Sequence, residues 1–304
     1  MLASLFATLR GSVTLTLMFF NTVFWFIPII LMGLLKLVTP WQPMRSWLTR
    51  WMTYCGEFWV MCNQGIFRLI LPVRWDISGT ADLRREDWYL IVANHRSWID
   101  ILTLQQAFNR RIPFLKFFIK QSLIWVPFLG QAWWAMDMPF MKRHSRAAIA
   151  KRPELRGQDL ATTRKACEHF RHVPTSIFNF VEGTRYTDAK HAATESPYQH
   201  LLLPRAGGIG FTLGSMGDIL RRLIDVTIVY PRGSGSLWDF CCGRVRHIVV
   251  EYRERPLPQW LTQGDYHNDP QYRERFQAWL RDLWSEKDQQ IGQLLARYPG
   301  PNPD

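Results

Sequence analysis

The chain opens on one long apolar block and then changes period. Residues 12–35 run for 24 positions without a charge and include Phe19-Phe20, Phe24-Trp25-Phe26 and Ile29-Ile30-Leu31. A bilayer core needs about 20 apolar residues, so this block predicts a membrane helix that Pro28 bends without breaking. It is too long for the apolar part of a secretory signal, and no small-x-small cleavage site follows it. Through 41–71, Trp41, Trp47, Trp51 and Trp59 interleave with Arg45, Arg50 and Arg68 at helical spacing. That pattern predicts a helix lying in the headgroup layer. A second, imperfect span stays open, because Glu57 is the only acid in the stretch, and so does a core helix of a soluble domain.

Past Arg74 the runs shorten. Segments rich in β-branched and aromatic residues recur at 74–77, 88–93, 176–181, 226–230 and 247–252, and these read as strands. Helical patterns lie between them, among them 159–170 and 206–223. Asp269-Pro270 supplies an N-cap and a first-turn proline for a last helix. Its apolar stripe is Tyr272, Phe276, Leu280, Leu283, Ile291 and Leu294, a packing face. Strands alternating with helices predict an α/β fold. The expected organisation is membrane-anchoring helices over 1–72 and a cytoplasmic domain over 73–304, with its motifs in 88–235 and a C-terminal strand and helix over 244–298.

Charge narrows the partners. The 304 residues hold 37 Lys+Arg against 25 Asp+Glu, a formal +12. Residues 110–185 carry 14 basic and 5 acidic side chains, whereas 186–304 carry 14 of each. A local positive field of this kind suits phosphate, nucleotide, acidic lipid or nucleic acid. Lys36, Arg45 and Arg50 after the apolar block outnumber Arg10 before it, which places the bulk of the chain in the cytoplasm. The 5 cysteines form no CxxC pair, which predicts reduced thiols and neither a disulfide nor a zinc site.

The candidate chemistry begins where the 88–93 strand ends, at Asn94-His95-Arg96-Ser97-Trp98-Ile99-Asp100. In open α/β sheets ligands bind at the carboxyl ends of strands. His95 there could serve as a general base, and Asp100 could turn back to orient its imidazole. The same residues also fit a helix cap, with Ser97 and Asp100 as a Ser-x-x-acid box. Glu182-Gly183-Thr184-Arg185 ends a second strand: Arg185 suits phosphate, and Gly183 allows a sharp turn. A surface turn with a local Glu–Arg pair is the plain alternative. Lys142-Arg143 reads as a solvated basic face, and Pro231 as the stop of a buried strand.

In order and approximate spacing these stretches resemble the PlsC-type lysophosphatidic acid acyltransferases, a family of membrane-bound glycerolipid acyltransferases. Its Asn-His-x4-Asp motif is matched by Asn94, His95 and Asp100. Its second block, an apolar run ending in arginine, is matched by Phe140-Met141-Lys142-Arg143, its Phe-Pro-Glu-Gly-Thr-Arg block by 180–185, and its final strand-proline by 226–231. Lys120, ahead of Pro127 and Gly130, is similar to a family lysine. Tyr186-Thr187, Lys190-His191 and Leu203-Pro204-Arg205 resemble one branch, which holds bacterial and eukaryotic lysophospholipid acyltransferases. Val181 stands where the family has proline, and Lys142 where it has an acidic or amide residue.

The resemblance implies a mixed sheet flanked by helices, and acyl transfer from acyl-CoA or acyl carrier protein to a lysophospholipid hydroxyl. His95 and Asp100 would be catalytic. Asn94, Lys120, Lys142, Arg143, Glu182, Gly183, Thr184, Arg185 and Pro231 would serve the acceptor. Lys120 or a backbone N–H would meet the developing oxyanion. No cofactor, metal or nucleic acid is implied, and the expected location is the cytoplasmic face of the cell inner membrane. Two other classes fit the residues less fully. One is a non-catalytic, membrane-anchored binder of anionic lipid or nucleic acid; the other is a hydrolase or thioesterase using the same His–Asp pair.

Overall fold

The computed structural model describes residues 2–141, 168–171, 173–266 and 268–300. The 159–170 helix pattern falls almost wholly outside these residues. The two N-terminal patterns each give one continuous helix, α1 (Leu2–Val38) and α2 (Gln42–Ile70). Pro28 lies inside α1. Among the described residues, α1 is the one helix long and apolar enough to cross a membrane.

The remaining chain builds six strands into one sheet. β1 (Arg74–Gly79), β2 (Tyr89–Ala93), β3 (Leu115–Phe117), β6 (Ser176–Phe180), β7 (Arg222–Val229) and β8 (His247–Arg255) lie in the order β1-β8-β7-β2-β6-β3. All neighbours are parallel except β7 and β8, so the sheet is mixed. β4 (Ile119–Lys120) and β5 (Phe140–Met141) form a separate small ribbon. Every residue of β2 is buried, which explains why that strand is apolar throughout rather than alternating. Helices cover both faces. α6 (Ala206–Met216) and α9 (Pro270–Arg297) pack one core, around Val92, Ile177, Ile209, Leu213, Phe276 and Trp284. α3 (Ile99–Phe108) packs the other, with Ile91, Leu104, Phe108, Phe178, Ile228 and Ile248.

Both N-terminal helices are held against this domain. On α1, Arg10 donates to the Cys242 carbonyl, and Gly11 closes on Trp238 and Cys242, at α7 (Leu237–Cys241). Farther along, Gly33 meets Ala135 of α4 (Leu129–Ala135), and Lys36 pairs with Asp137. From Arg10 to Lys36 is about 39 Å of helix, so α1 runs along the domain instead of leaving it. Glu57 of α2 is buried and bonded at 2.5 Å to Arg85, so that helix's lone acid faces the domain. Trp41, Trp47, Trp51 and Phe58 are exposed.

Candidate active site

Three central parallel strands, β7, β2 and β6, point their carboxyl ends the same way, and each contributes a loop to one cluster. His95 follows β2. Its Nδ1 lies 2.8 Å from Asp100 Oδ2, and the backbone N–H groups of Arg96 and Ser97 donate to that same oxygen at 2.6 and 2.9 Å. The tight turn from β2 into α3 explains this geometry, because a carboxylate at the first turn of a helix meets the N–H groups ahead of it. Asp100 thus braces the turn and holds the imidazole. The Ser-x-x-acid box is only half formed: Asp100 accepts the Ser97 N–H, but the Ser97 hydroxyl takes the Ile99 N–H, and the N-cap position is Trp98. The ring stacks on Phe180 with centroids 3.7 Å apart and an interplanar angle of 13°. With Nδ1 engaged by Asp100, Nε2 is the nitrogen left for a reacting proton.

Glu182 follows β6 and turns inward. It is buried; its Oε1 accepts the His95 backbone N–H at 2.8 Å and its Oε2 that of Leu202 at 3.2 Å. Burial raises its carboxyl to about 7, against the pull of those two donors and of Arg96. The expectation is that Glu182 orders an arginine or the acceptor; both of its oxygens instead hold backbone N–H groups, those of His95 and Leu202. Asn94, expected at the acceptor, is likewise taken up by backbone. It is fully buried, donates to the Ile228 carbonyl at 2.8 Å, and accepts the Ile228 N–H at 2.8 Å. Its amide locks β2 to β7.

The rest of the second loop faces out. Gly183 has φ +66°, and a Cβ there would meet the Arg205 side chain at 3.0 Å. The Thr184 hydroxyl accepts from Lys190 at 2.8 Å, which makes it part of the loop's own bracing. Arg185 is exposed and stacks its guanidinium over Trp98, 4.8 Å from the ring centre. Arg96 lies over Tyr186 at 4.1 Å and donates to the His200 carbonyl at 3.1 Å. Two arginines thus flank the His95 turn, each laid on an aromatic face. Lys120 is exposed on the small ribbon, in register with Met141. Lys142 and Arg143 lie outside the described residues. Pro231 is half-buried and ends β7; no side-chain polar group is available from it.

Sequence reasoning missed Tyr230, the residue before that proline. It is buried, and its hydroxyl donates to Asp100 Oδ1 at 2.6 Å. A signal was present: Ile224, Val226 and Ile228 alternate along β7, Tyr230 continues their alternation just past its end, and all four share the core on the α3 side, where Asp100 sits. Ser97, the nearest hydroxyl in the first motif, is committed elsewhere. It is buried, donates to the Gly235 carbonyl at 3.1 Å and accepts from Ile99 N at 3.3 Å.

A family model described as Acyltransferase matches residues 74–229. The 1-acyl-sn-glycerol-3-phosphate acyltransferase delta of Bos taurus is 27% identical over 213 residues, covering 66% of this chain and 51% of its own length. The epsilon form of Mus musculus is 21% identical over 237 residues, covering 71% of this chain and 59% of its own. The chain spans about half the length of the curated relatives it matches. The crystal structure of the 1-acyl-sn-glycerophosphate (LPA) acyltransferase PlsC from Thermotoga maritima superposes with a TM-score of 0.49 at 14% identity, covering 93% of this chain and 98% of that one.

Proposed function

The chain belongs to the acyltransferase family, and from that premise we propose that it moves a fatty acyl group from an acyl thioester to the free hydroxyl of lysophosphatidic acid, giving phosphatidic acid. The observation that carries this reading is the His95–Asp100 bond of 2.8 Å at the carboxyl ends of three parallel strands, beside the outward-facing Arg185. His95 Nε2 takes the acceptor's hydroxyl proton as its oxygen attacks the thioester carbonyl. Asp100 fixes the tautomer and supports the imidazolium, which then returns the proton to the leaving thiolate. Transfer is direct. The Ser97 hydroxyl is held between the Gly235 carbonyl and the Ile99 N–H, so no acyl-enzyme forms on it.

Arg185 holds the acceptor's phosphate together with Arg143, as a guanidinium suits a tetrahedral dianion. Lys120 or a loop N–H meets the oxyanion. The thioester carrier is acyl-CoA or acyl carrier protein. The lipid comes from the membrane itself: α1 and α2 lie side by side on the cytoplasmic face of the inner membrane, with their exposed apolar residues in the lipid. The contacts of α1 with the domain near both of its ends favour this posture over a perpendicular span.

The test is acyl transfer by the detergent-purified protein, with labelled acyl-CoA or acyl carrier protein offered to lysophosphatidic acid and a panel of other lysophospholipids. The expected result is phosphatidic acid from the wild type and at least a hundredfold less from His95→Ala, the scale of a lost general base. Equal product from both would remove His95 from the mechanism. Free fatty acid without a diacyl product would make the protein a hydrolase.

A further inference from the structure

Four hydrogen bonds end on the Asp100 carboxylate, and they are unevenly shared. Oδ2 takes three, from His95, Arg96 and Ser97, all on Asp100's own turn. Oδ1 takes its bond from Tyr230, 130 residues away on the loop after β7. Asp100 has no exposed surface, so without that hydroxyl Oδ1 would face the core. A buried O–H to carboxylate bond of 2.6 Å is charge-assisted and strong.

The loop is built to hold the hydroxyl in place. Pro231 fixes the backbone after it, Gly233 N–H closes the turn on the Tyr230 carbonyl at 3.0 Å, and Asn94 clamps β7 at Ile228. The Thr103 hydroxyl stands 3.5 Å from the phenol oxygen.

We propose that Tyr230 is a positioning residue for the His95–Asp100 pair, setting both the rotation of the carboxylate and how strongly it holds the imidazolium. This rests on the acyl-transfer reading, in which His95 must be neutral to accept a proton. A carboxylate that shares its charge with a phenol binds imidazolium less tightly. The phenol remains the donor throughout, because burial and the Asp100 charge push its own ionisation well above the usual tyrosine range. Among the described residues, the other charged groups around the pair are Arg96 on the same turn, Glu182 on the β6 loop and Arg185 over Trp98.

Tyr230→Phe removes the hydroxyl and keeps the ring. In the full-length protein in detergent, the His95 imidazole is titrated by NMR with labelled histidine, its signal identified by its loss in His95→Gln. The expected change is a rise of about half a pH unit, with the acid limb of the kcat/KM profile moving equally. The kcat should fall roughly 3–10-fold while KM for the acceptor stays within about twofold. Thr103→Val, which leaves the Tyr230–Asp100 bond, should match the wild type in both readouts. An unmoved imidazole titration in Tyr230→Phe, or an equal shift in Thr103→Val, would overturn the proposal. Should the wild type transfer no acyl group, the acyl-transfer reading falls and the imidazole titration alone decides the role of Tyr230.

Discussion

Glu182 is an acid placed where its charge is disfavoured and its oxygens are nevertheless in use. Its carboxyl is raised to about 7, largely by burial, while both oxygens accept backbone N–H groups around the base. The ionised form is the one that can accept from both His95 and Leu202 without a donor of its own. On the acyl-transfer reading activity then requires Glu182 charged, and its proton shapes the acid side of the rate profile. In the wild type kcat/KM should fall as pH drops through about 7. In Glu182→Gln that fall should be lost, with the plateau lowered about tenfold, because an amide offers one acceptor oxygen for two donors. The same fall in Glu182→Gln as in the wild type would remove Glu182 from the titration. The sign for stability is opposite. A carboxyl raised in the fold binds its proton more tightly there, so its stabilising contribution is whole below the unfolded value near 4.5 and is lost as pH climbs through 7. This site is tuned for a charge at some expense in stability. His95 and Asp100 were legible in the sequence because their partnership is local, five residues across one turn. The work of Asn94 and Glu182 was not, because their partners, Ile228 and Leu202, reach them only through the assembled sheet.

At the level of elements, the strands on either side of β2 were legible from their apolar runs, and the C-terminal helix from Asp269-Pro270, whose carboxylate does accept from Gln271 and Tyr272. The boundaries went astray where periodicity crossed a break. The pattern over 206–223 continues through Leu213, Met216, Leu220 and Leu223, yet the helix ends at Met216 and β7 begins at Arg222. Gly217 follows, its own backbone still helical, in a spot where a Cβ would sit 2.5 Å from the Thr262 carbonyl oxygen. β3, three residues at a sheet edge, gave too short a run to read. The lock between β7 and α9 could not be read at all. Lys287 is fully buried, pairs with Asp225, and donates to the Val226 carbonyl at 2.7 Å and the Thr227 hydroxyl at 3.1 Å. Asp225 also receives Arg255 at 3.2 Å and Arg253 at 3.5 Å, and its carboxyl is held low, with Lys287 its foremost charge partner. Removing one member of such a pair strands the other charge in the core. Lys287→Met should therefore cost about 3 kcal/mol. That corresponds to roughly 6–12 °C in Tm for a domain of this size, read by thermal unfolding in detergent. Acyl transfer well below Tm should keep its rate, because the lock lies on the face of β7 away from Tyr230 and Asp100. A Tm within a degree of the wild type would show that Arg253 and Arg255 already neutralise Asp225.

For the molecule as a whole, the question is how a helix with the length of a membrane span is arranged around a domain that it touches near both ends. From Ser4 to Val38, just before Thr39, the helix measures about 50 Å, well beyond the roughly 30 Å of a hydrocarbon core. Standing upright, α1 would put those two residues on opposite sides of the membrane, and the contact of Gly11 with Trp238 and that of Lys36 with Asp137 could not coexist in one aqueous domain. Lying along the bilayer, it puts both on the same side. The exposed apolar residues agree with this second posture: Phe6, Phe20, Phe24, Leu31 and Leu35 on α1 and Trp47, Trp51 and Phe58 on α2 leave the domain covered on one flank and greasy on the other. Single cysteines separate the two arrangements. With the native cysteines replaced, Ser4→Cys and Thr39→Cys should both react with an impermeant maleimide in inverted inner-membrane vesicles, and neither should react in intact spheroplasts. Reaction of one from each side would mean that α1 crosses, and that its packing on the domain gives way in the bilayer. Reaction of both from the cytoplasmic side would put the carboxyl ends of β2, β6 and β7, and His95 with them, on an enzyme lying flat against the lipid that carries its acceptor.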